Sequence, residues 1–376
     1  MHSRHRLAVL VGLALLPAAD LRAGELLYGP EGNRLRVYDL DPVPGARAET
    51  VLIERASLDP EHGRDVNGMV CPLPDGSGRF VAGEDTGQPA VPGGWGIFER
   101  DGTQSGKLTP TSRTEPYPEP YGCAFAPDGR LFTSEIGSPG FLASNGQLIL
   151  FFPPYQGFRS GADAGYCKLA VDLGTPTGLA VDRHGRLYVA SASQAEILRF
   201  SPPFPTAPTA AGGCGRRDVT GAPLADAVQR EVFAGAVWHA GLVTYSGLAF
   251  SPRGTLYAAS VATGRIGEFD ADGKLLRLVL APEEWLPPFA TGTPQGLAVD
   301  GRGRLYYADL DLRWRDWTLG PGPDGKVWRI DFDAAGASLA PRPLRAGLQF
   351  PDGLAVVSGS LRALPPSREV RAGAAE

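Results

Sequence analysis

"PTGLAVDRHGRLYVAS", Pro176–Ser191, joins two short apolar runs through a polar turn that contains Gly185. Nearly the same string returns as "PYGCAFAPDGRLFTSE" (Pro120–Glu135), "YSGLAFSPRGTLYAAS" (Tyr245–Ser260) and "PQGLAVDGRGRLYYAD" (Pro294–Asp309). Two weaker copies open at "VNGMVC" and "PDGLAV". The six glycines that begin the apolar runs are Gly68, Gly122, Gly178, Gly247, Gly296 and Gly353, spaced by 54, 56, 69, 49 and 57 residues. A period this long marks a repeated supersecondary unit.

Within one unit the x-G-L-A-V segment reads as a short, wholly apolar strand, the pattern of a strand buried on both faces. The turns "APDGR", "DRHGR", "SPRGT" and "DGRGR" each place a glycine where a tight hairpin needs a left-handed residue. A second strand follows ("LFTSE", "LYVAS", "LYAAS", "LYYAD"), then a third ("AEILRF", "GRIGEF", "GKVWRI"), with a fourth in "KLLRLVL" and "SLAPRPLR". Six units of four antiparallel strands predict an all-β fold, a six-bladed β-propeller. The unit at Gly353 has one clear strand, whereas "ELLYGPEGNRLRVYDLD" near the start has strands but no glycine motif. The N-terminal strands are therefore expected to complete the last blade, removing an open edge.

The 69-residue spacing holds an insertion at 201–233, in which "PLADAVQREVF" is expected to form one short helix. The 50 Gly and 35 Pro fit many turns and few long helices. Residues 1–23 have a basic start, the apolar "LAVLVGLALL" and small residues before Gly24, the order of a secretory signal peptide. The propeller is expected over 24–360, with a polar tail over 361–376. The mature chain is then periplasmic or secreted, has no membrane span and acts as a monomer. The net charge of −5 becomes about −7 without the leader, and gives no basic face for nucleic acid.

Four cysteines in an exported chain fit two disulfides, with three possible pairings. Cys167 precedes the inner strand of the unit whose insertion carries Cys214, so these two are expected to pair. Cys71 and Cys123 follow their opening glycines by 3 and 1 residues on adjacent inner strands, and form the second expected pair.

The repeated x-G-L-A-V…G-x-L-Y-V units resemble the six-bladed propellers of the NHL-repeat and regucalcin/gluconolactonase superfamily, over roughly residues 25–357. The resemblance implies that the residue before each inner glycine points to the central channel. Those residues are Asn67, Tyr121, Thr177, Ser246, Gln295 and Asp352, all polar, at a mouth expected to be solvated. In regucalcin-like lactonases an Asn-Gly and an Asp-Gly at this place hold a divalent metal, with a third Asn and an early Glu. Asn67 and Asp352 match by type and offer hard oxygens suited to Ca²⁺ or another divalent metal. The other positions carry Tyr, Thr, Ser and Gln, and Glu31 in "GPEG" is the one candidate for the early Glu.

A second set of acids follows the second strands: Glu84 and Asp85, Glu135, and Asp309 with Asp311. Antiparallel pairing should return them to the same mouth, where they could hold the metal (Glu84, Asp85) or act as acid and base (Glu135, Asp309, Asp352). The plainer alternative is a solvated rim or hydrogen-bonded turn carboxylates. Three histidines remain after residue 23, too few for multi-His zinc chemistry. His62 could approach the mouth and serve as a base, with His239 as its partner in a paraoxonase-like dyad, whereas His184 sits in an exposed turn. A G-x-S-x-G elbow and a Walker loop are both missing. Trp95, Trp285, Trp314 and Trp317 either line a ligand groove or pack between blades, and the area a Trp buries favours packing. Two functions stay open. One is a metal-dependent lactone or ester hydrolase. The other is a non-catalytic propeller that takes a protein, glycan or small ligand at the channel mouth.

Overall fold

The computed structural model describes residues 24–55, 65–85, 94–108, 120–136, 145–155, 165–207, 228–236, 244–359, 364 and 369–370. These form six antiparallel sheets arranged as blades, plus one small hairpin, with no α-helix among the described residues. Blade 1 is Asp65–Pro72, Phe80–Asp85, Gly94–Phe98 and Gln104–Leu108. Blade 2 is Pro120–Phe125, Leu131–Glu135, Gln147–Phe151 and Tyr166–Ala170. Blade 3 is Pro176–Val181, Leu187–Ser191, Glu196–Ser201 and Gln229–Ala234, and blade 4 is Tyr245–Phe250, Leu256–Ser260, Arg265–Phe269 and Leu275–Leu280. Blade 5 is Pro294–Val299, Leu305–Asp309, Gly325–Ile330 and Arg342–Leu348.

Blade 6 closes the ring as the repeat pattern requires. Its inner strand, Ala355–Ser358, pairs with Glu25–Glu31, which is followed by Arg34–Asp39 and Glu49–Arg55. Gly359 N donates to Gly24 O at 2.6 Å, so the two ends of the closing blade are held together. Within the expected tail, Glu369–Val370 adds a short parallel strand to the outer edge of this blade. Leu364 is buried in the cluster between blades 6 and 1.

Side chains alternate across a strand, so each strand feeds both neighbouring interfaces. Leu187 and Val189 pack toward blade 2, while Tyr188 and Ala190 pack toward blade 4. This is why "LYVAS" is apolar up to its terminal Ser191 and buried throughout. Six clusters of buried apolar side chains result, one between each pair of neighbouring blades, including those between blades 5 and 6 and between blades 6 and 1.

The repeated turns have a local cause. The Asp182 carboxylate accepts from the backbone N–H of His184 (2.8 Å) and Arg186 (2.9 Å) and ion-pairs with the Arg186 side chain. Asp300 does the same for Arg302 and Arg304. Gly185, at φ +75°, takes the left-handed position between them.

The insertion differs from the sequence expectation. Residues 208–227 lie outside the described set, and Gln229–Ala234, the end of the expected helix, is the fourth strand of blade 3. Pairing along Glu196–Ser201, with the Arg199–Glu231 ion pair, overrides local helix propensity. The insertion is thus a connection between the third and fourth strands. Blade 5 carries an extra element that the repeat did not announce: a hairpin, Arg313–Arg315 with Thr318–Gly320, between its second and third strands. Among the described residues no helix is long and apolar enough to cross a membrane.

Cys71 and Cys123 form a disulfide with a Cα–Cα distance of 6.1 Å. Both belong to the cluster between blades 1 and 2, reached from opposite sides. Cys167 is also disulfide-bonded, and its expected partner, Cys214, lies outside the described residues. The Cys71–Cys123 bridge spans a sequence separation of 52. Replacing both cysteines by serine is expected to lower stability by about 3–4 kcal/mol. Urea unfolding should show this as a lower midpoint, with a larger m-value because the uncross-linked unfolded chain exposes more surface.

Candidate functional site

The inner strands meet around the ring axis through their glycines. A Cβ on Gly68, Gly122, Gly178, Gly247 or Gly296 would fall within 3.0 Å of the backbone carbonyl oxygen of Tyr121, Thr177, Ser246, Gln295 or Asp352 respectively, and one on Gly353 would meet Gly68 O. Five of the six glycines therefore sit against the residue before the next blade's glycine, Gly353 sits against Gly68 itself, and the circuit closes on itself. Each of the five described inner strands that carries the motif with its pairing partner also shifts register there, for example between Pro176 and Leu179.

This approach seals the hub more tightly than a solvated mouth. Tyr121 is 7% exposed, Asp352 2%, Gln295 and Ser246 1%, and Thr177 is fully buried. Thr177 Oγ1 donates to backbone carbonyls, with Tyr245 O at 3.1 Å, and Ser246 Oγ donates to Pro294 O at 3.3 Å. Tyr121 reaches past blade 1 and donates its hydroxyl to Asp352 Oδ1 at 3.0 Å. Gln295, next to Asp352 around the ring, keeps both amide atoms without a hydrogen-bond partner among the described residues. At Asn67 and Asp85 the structure describes the backbone alone, and His62 and His239 lie outside the described residues.

The second acidic set returns to the same end of the blades, as expected. Glu84 pairs with Val66, Glu135 with Pro120 and Asp309 with Pro294. These acids are buried rather than rim-exposed, at 1%, 2% and 1%. Glu84 accepts from Gln104 Nε2 at 3.2 Å, and Glu135 accepts from Gln147 Nε2. Asp309 Oδ1 accepts from Thr293 N (2.7 Å), Thr293 Oγ1 (3.0 Å) and Asp311 N (2.8 Å), and Oδ2 accepts from Trp328 Nε1 (3.0 Å). A carboxylate so loaded with donors fixes its surroundings: it ties the chain entering blade 5 to the chain leaving its second strand. Asp311, 8% exposed, holds Arg313 Nε at 2.8 Å and Asp324 N at 3.0 Å. Glu31 is held by the Arg36 guanidinium at 2.7 Å.

A Ca²⁺ ion takes six to eight oxygens, with several carboxylates among them. Among the described residues no three His, Cys, Asp or Glu side chains gather in a way that could hold a metal. The described hub offers one carboxylate, Asp352, and Thr177 and Ser246 direct their hydroxyls to the backbone. The described donor set does not fit a calcium site of the regucalcin kind.

The tryptophans divide. Trp95 is fully buried between blades 1 and 2, as the packing alternative has it. Trp285, Trp314 and Trp317 are 74%, 49% and 97% exposed, which corrects that expectation for all three. They lie on the connection from blade 4 to blade 5, 281–293, and on a connection within blade 5, 310–324, both at the end where the inner strand begins. His184 is exposed in its turn.

No family model matches the chain, and no curated protein matches it by sequence. Solved structures do. A luciferin-regenerating enzyme aligns with a TM-score of 0.52 at 15% identity, over 90% of this chain and 97% of the other. A chain of a nidogen/laminin complex aligns with a TM-score of 0.54 at 13% identity, over 90% and 100%. A calcium-binding regucalcin from Agrobacterium tumefaciens aligns with a TM-score of 0.48 at 14% identity, over 76% and 85%. The first two likenesses, together with the six closed blades, show the architecture. The chain has the fold of a closed six-bladed β-propeller, shared with these structures.

Proposed function

We propose that the chain is an exported hydrolase of lactones or esters that works at the hub, with Asp352 as its functional carboxylate. One observation carries this reading. A buried carboxylate receives a phenol hydroxyl from across the hub and lies beside a buried amide, Gln295, whose two polar atoms are unpartnered among the described residues. Buried polar groups are almost always hydrogen-bonded, so a polar group left open in this way suits a polar ligand. In this reading Asp352 takes the proton from a water whose oxygen attacks the carbonyl carbon. Tyr121 holds the Asp352 carboxylate in place through its hydroxyl, and the Gln295 amide N–H donates to the carbonyl oxygen as it gains charge. The acyl C–O bond then breaks, and the leaving oxygen takes the proton from Asp352. Export is supported by the disulfides, which persist in oxidising compartments.

The test is turnover of a panel of γ- and δ-lactones and aryl acetates by residues 24–376. Asp352→Asn is expected to lower kcat at least ~100-fold, the usual scale for loss of a general base, with an unchanged circular dichroism spectrum. A wild type with no turnover on the panel, or an Asp352→Asn variant as active as wild type, sinks the reading. A calorimetric Ca²⁺ titration run beside it asks about the metal directly. A saturable site lost in Asp352→Asn would add an ion to the hub.

A further inference from the structure

We propose that the mouth side of blade 5 is a carbohydrate-binding surface that takes a neutral glycan chain across Trp285, Trp314 and Trp317. Three exposed indoles, one on the connection from blade 4 to blade 5 and two within blade 5, form an unusual apolar outlay for a surface. The hairpin that carries two of them is built with backbone strain. Its turn residues Asp316 and Trp317 both have positive φ, 47° and 65°, in a turn that favours Asn-Gly. A bulky residue held in the left-handed region, with its side chain 97% exposed, points to a use outside the fold.

The presentation is rigid. Asp309 and Thr293 knit the two connections: Asp311 N donates to Asp309 Oδ1, and Leu312 N donates to Thr293 Oγ1 at 3.0 Å. Asp311 clamps the hairpin base through Arg313 and Asp324, and Ala290 N donates to Glu284 Oε1 at 3.1 Å within the other connection. A stacking surface gains affinity when its rings are ordered beforehand.

The charges beside the rings select the partner. Trp317 follows Asp316 and Arg315, and Trp285 follows Glu283 and Glu284. A pyranose ring offers a slightly positive C–H face to the negative face of an indole, and its hydroxyls need both acceptors and donors at the ring edge. The carboxylates of Glu283, Glu284 and Asp316 and the guanidinium groups of Arg313 and Arg315, which neighbour the rings in sequence, supply acceptors and donors between them. An anionic bilayer fits poorly, because the acids beside Trp285 and Trp317 would be drawn into the headgroups and the chain has net charge −5. A protein interface fits poorly too, because interface cores are depleted of charge and here charges separate the rings.

The experiment is affinity electrophoresis of residues 24–376 in native gels. The gels contain barley β-glucan, hydroxyethylcellulose, galactomannan, arabinoxylan or laminarin. Co-sedimentation with phosphatidylcholine vesicles, with and without phosphatidylglycerol, is run beside them. At least one glycan should retard the protein, and Trp317→Ala should weaken that retardation about 10-fold or more, as expected for a central aromatic contact. Trp317→Gly should weaken it equally while holding or raising Tm, because glycine accepts the turn geometry. Trp317→Tyr should keep part of it. The proposal is overturned if no glycan retards the wild type, if Trp317→Ala is retarded as strongly, or if vesicles capture the protein and glycans do not. Lactone turnover is read separately, so either proposal can fail alone.

Discussion

Gly178→Val is expected to abolish the folded ring. A Cβ there would fall within 3.0 Å of Ser246 O and of the backbone at Gly247 and Leu248, so the clash is backbone against backbone. Overpacking a core usually costs about 1–3 kcal/mol because side chains can shift. Here no side chain can yield. Blade 3 must move away from blade 4, and in a closed ring that displacement passes to the remaining interfaces. A cost above about 5 kcal/mol is expected, comparable with the whole stability of a typical domain. The control is Gly185→Ala. Gly185 has positive φ, unlike Gly178, but an added Cβ meets nothing within 4 Å, so only the conformational cost of about 1–2 kcal/mol applies. Size-exclusion chromatography and urea unfolding check both. A Gly178→Val protein that elutes and unfolds like wild type would falsify the account of the hub.

Asp309→Ala is the second large effect. The substitution leaves the N–H of Thr293, Asp311 and Trp328 and the Thr293 hydroxyl facing a buried gap where two oxygens had accepted them. Each buried donor left unsatisfied costs about 1–3 kcal/mol, and water entering the gap recovers part of it, so a net loss of about 4–6 kcal/mol is expected. Asp309→Asn keeps one oxygen acceptor and should lose about half as much. Thermal unfolding of the two variants gives the order directly. Because the same carboxylate knits the two tryptophan-bearing connections, Asp309→Asn should also loosen the blade 5 surface. Faster exchange of the Thr293 and Asp311 amides would show that loosening. Equal Tm values for Asp309→Ala and wild type would mean that the carboxylate does not organise the blade.

The ring was legible because its cause is local. Each inner strand needs a glycine at the point of closest approach, and each hairpin needs a polar turn, so both leave a mark in every unit. The chemistry at the hub was less legible because its partners are remote in sequence. Tyr121 and Asp352 bond across 231 positions, and nothing near either residue announces it. Polar residues at the inner ends read as a solvated mouth, whereas Tyr121, Thr177, Ser246, Gln295 and Asp352 are buried and, at Thr177 and Ser246, bonded to the backbone of the next blade. Asp309 read equally well as a general acid and as a turn carboxylate; its four donors come from three separate segments. At Trp314 and Trp317 the packing preference of the residue type misled, because the second hairpin of blade 5 breaks the repeat that the rest of the chain obeys. The "REVF" stretch looked helical alone and is a strand because an open edge was waiting for it.

The closing blade also sets the order of events during synthesis. Residues 25–55 emerge first, yet the inner strand they pair with, Ala355–Ser358, comes last. Until then strand Glu25–Glu31 has one unpaired edge, the kind of edge that recruits other chains, and blades 1 and 5 each lack a neighbour against one apolar face. Export before the last blade locks would carry the chain across in that unlocked state, and the bond between Gly24 and Gly359 would form on the far side.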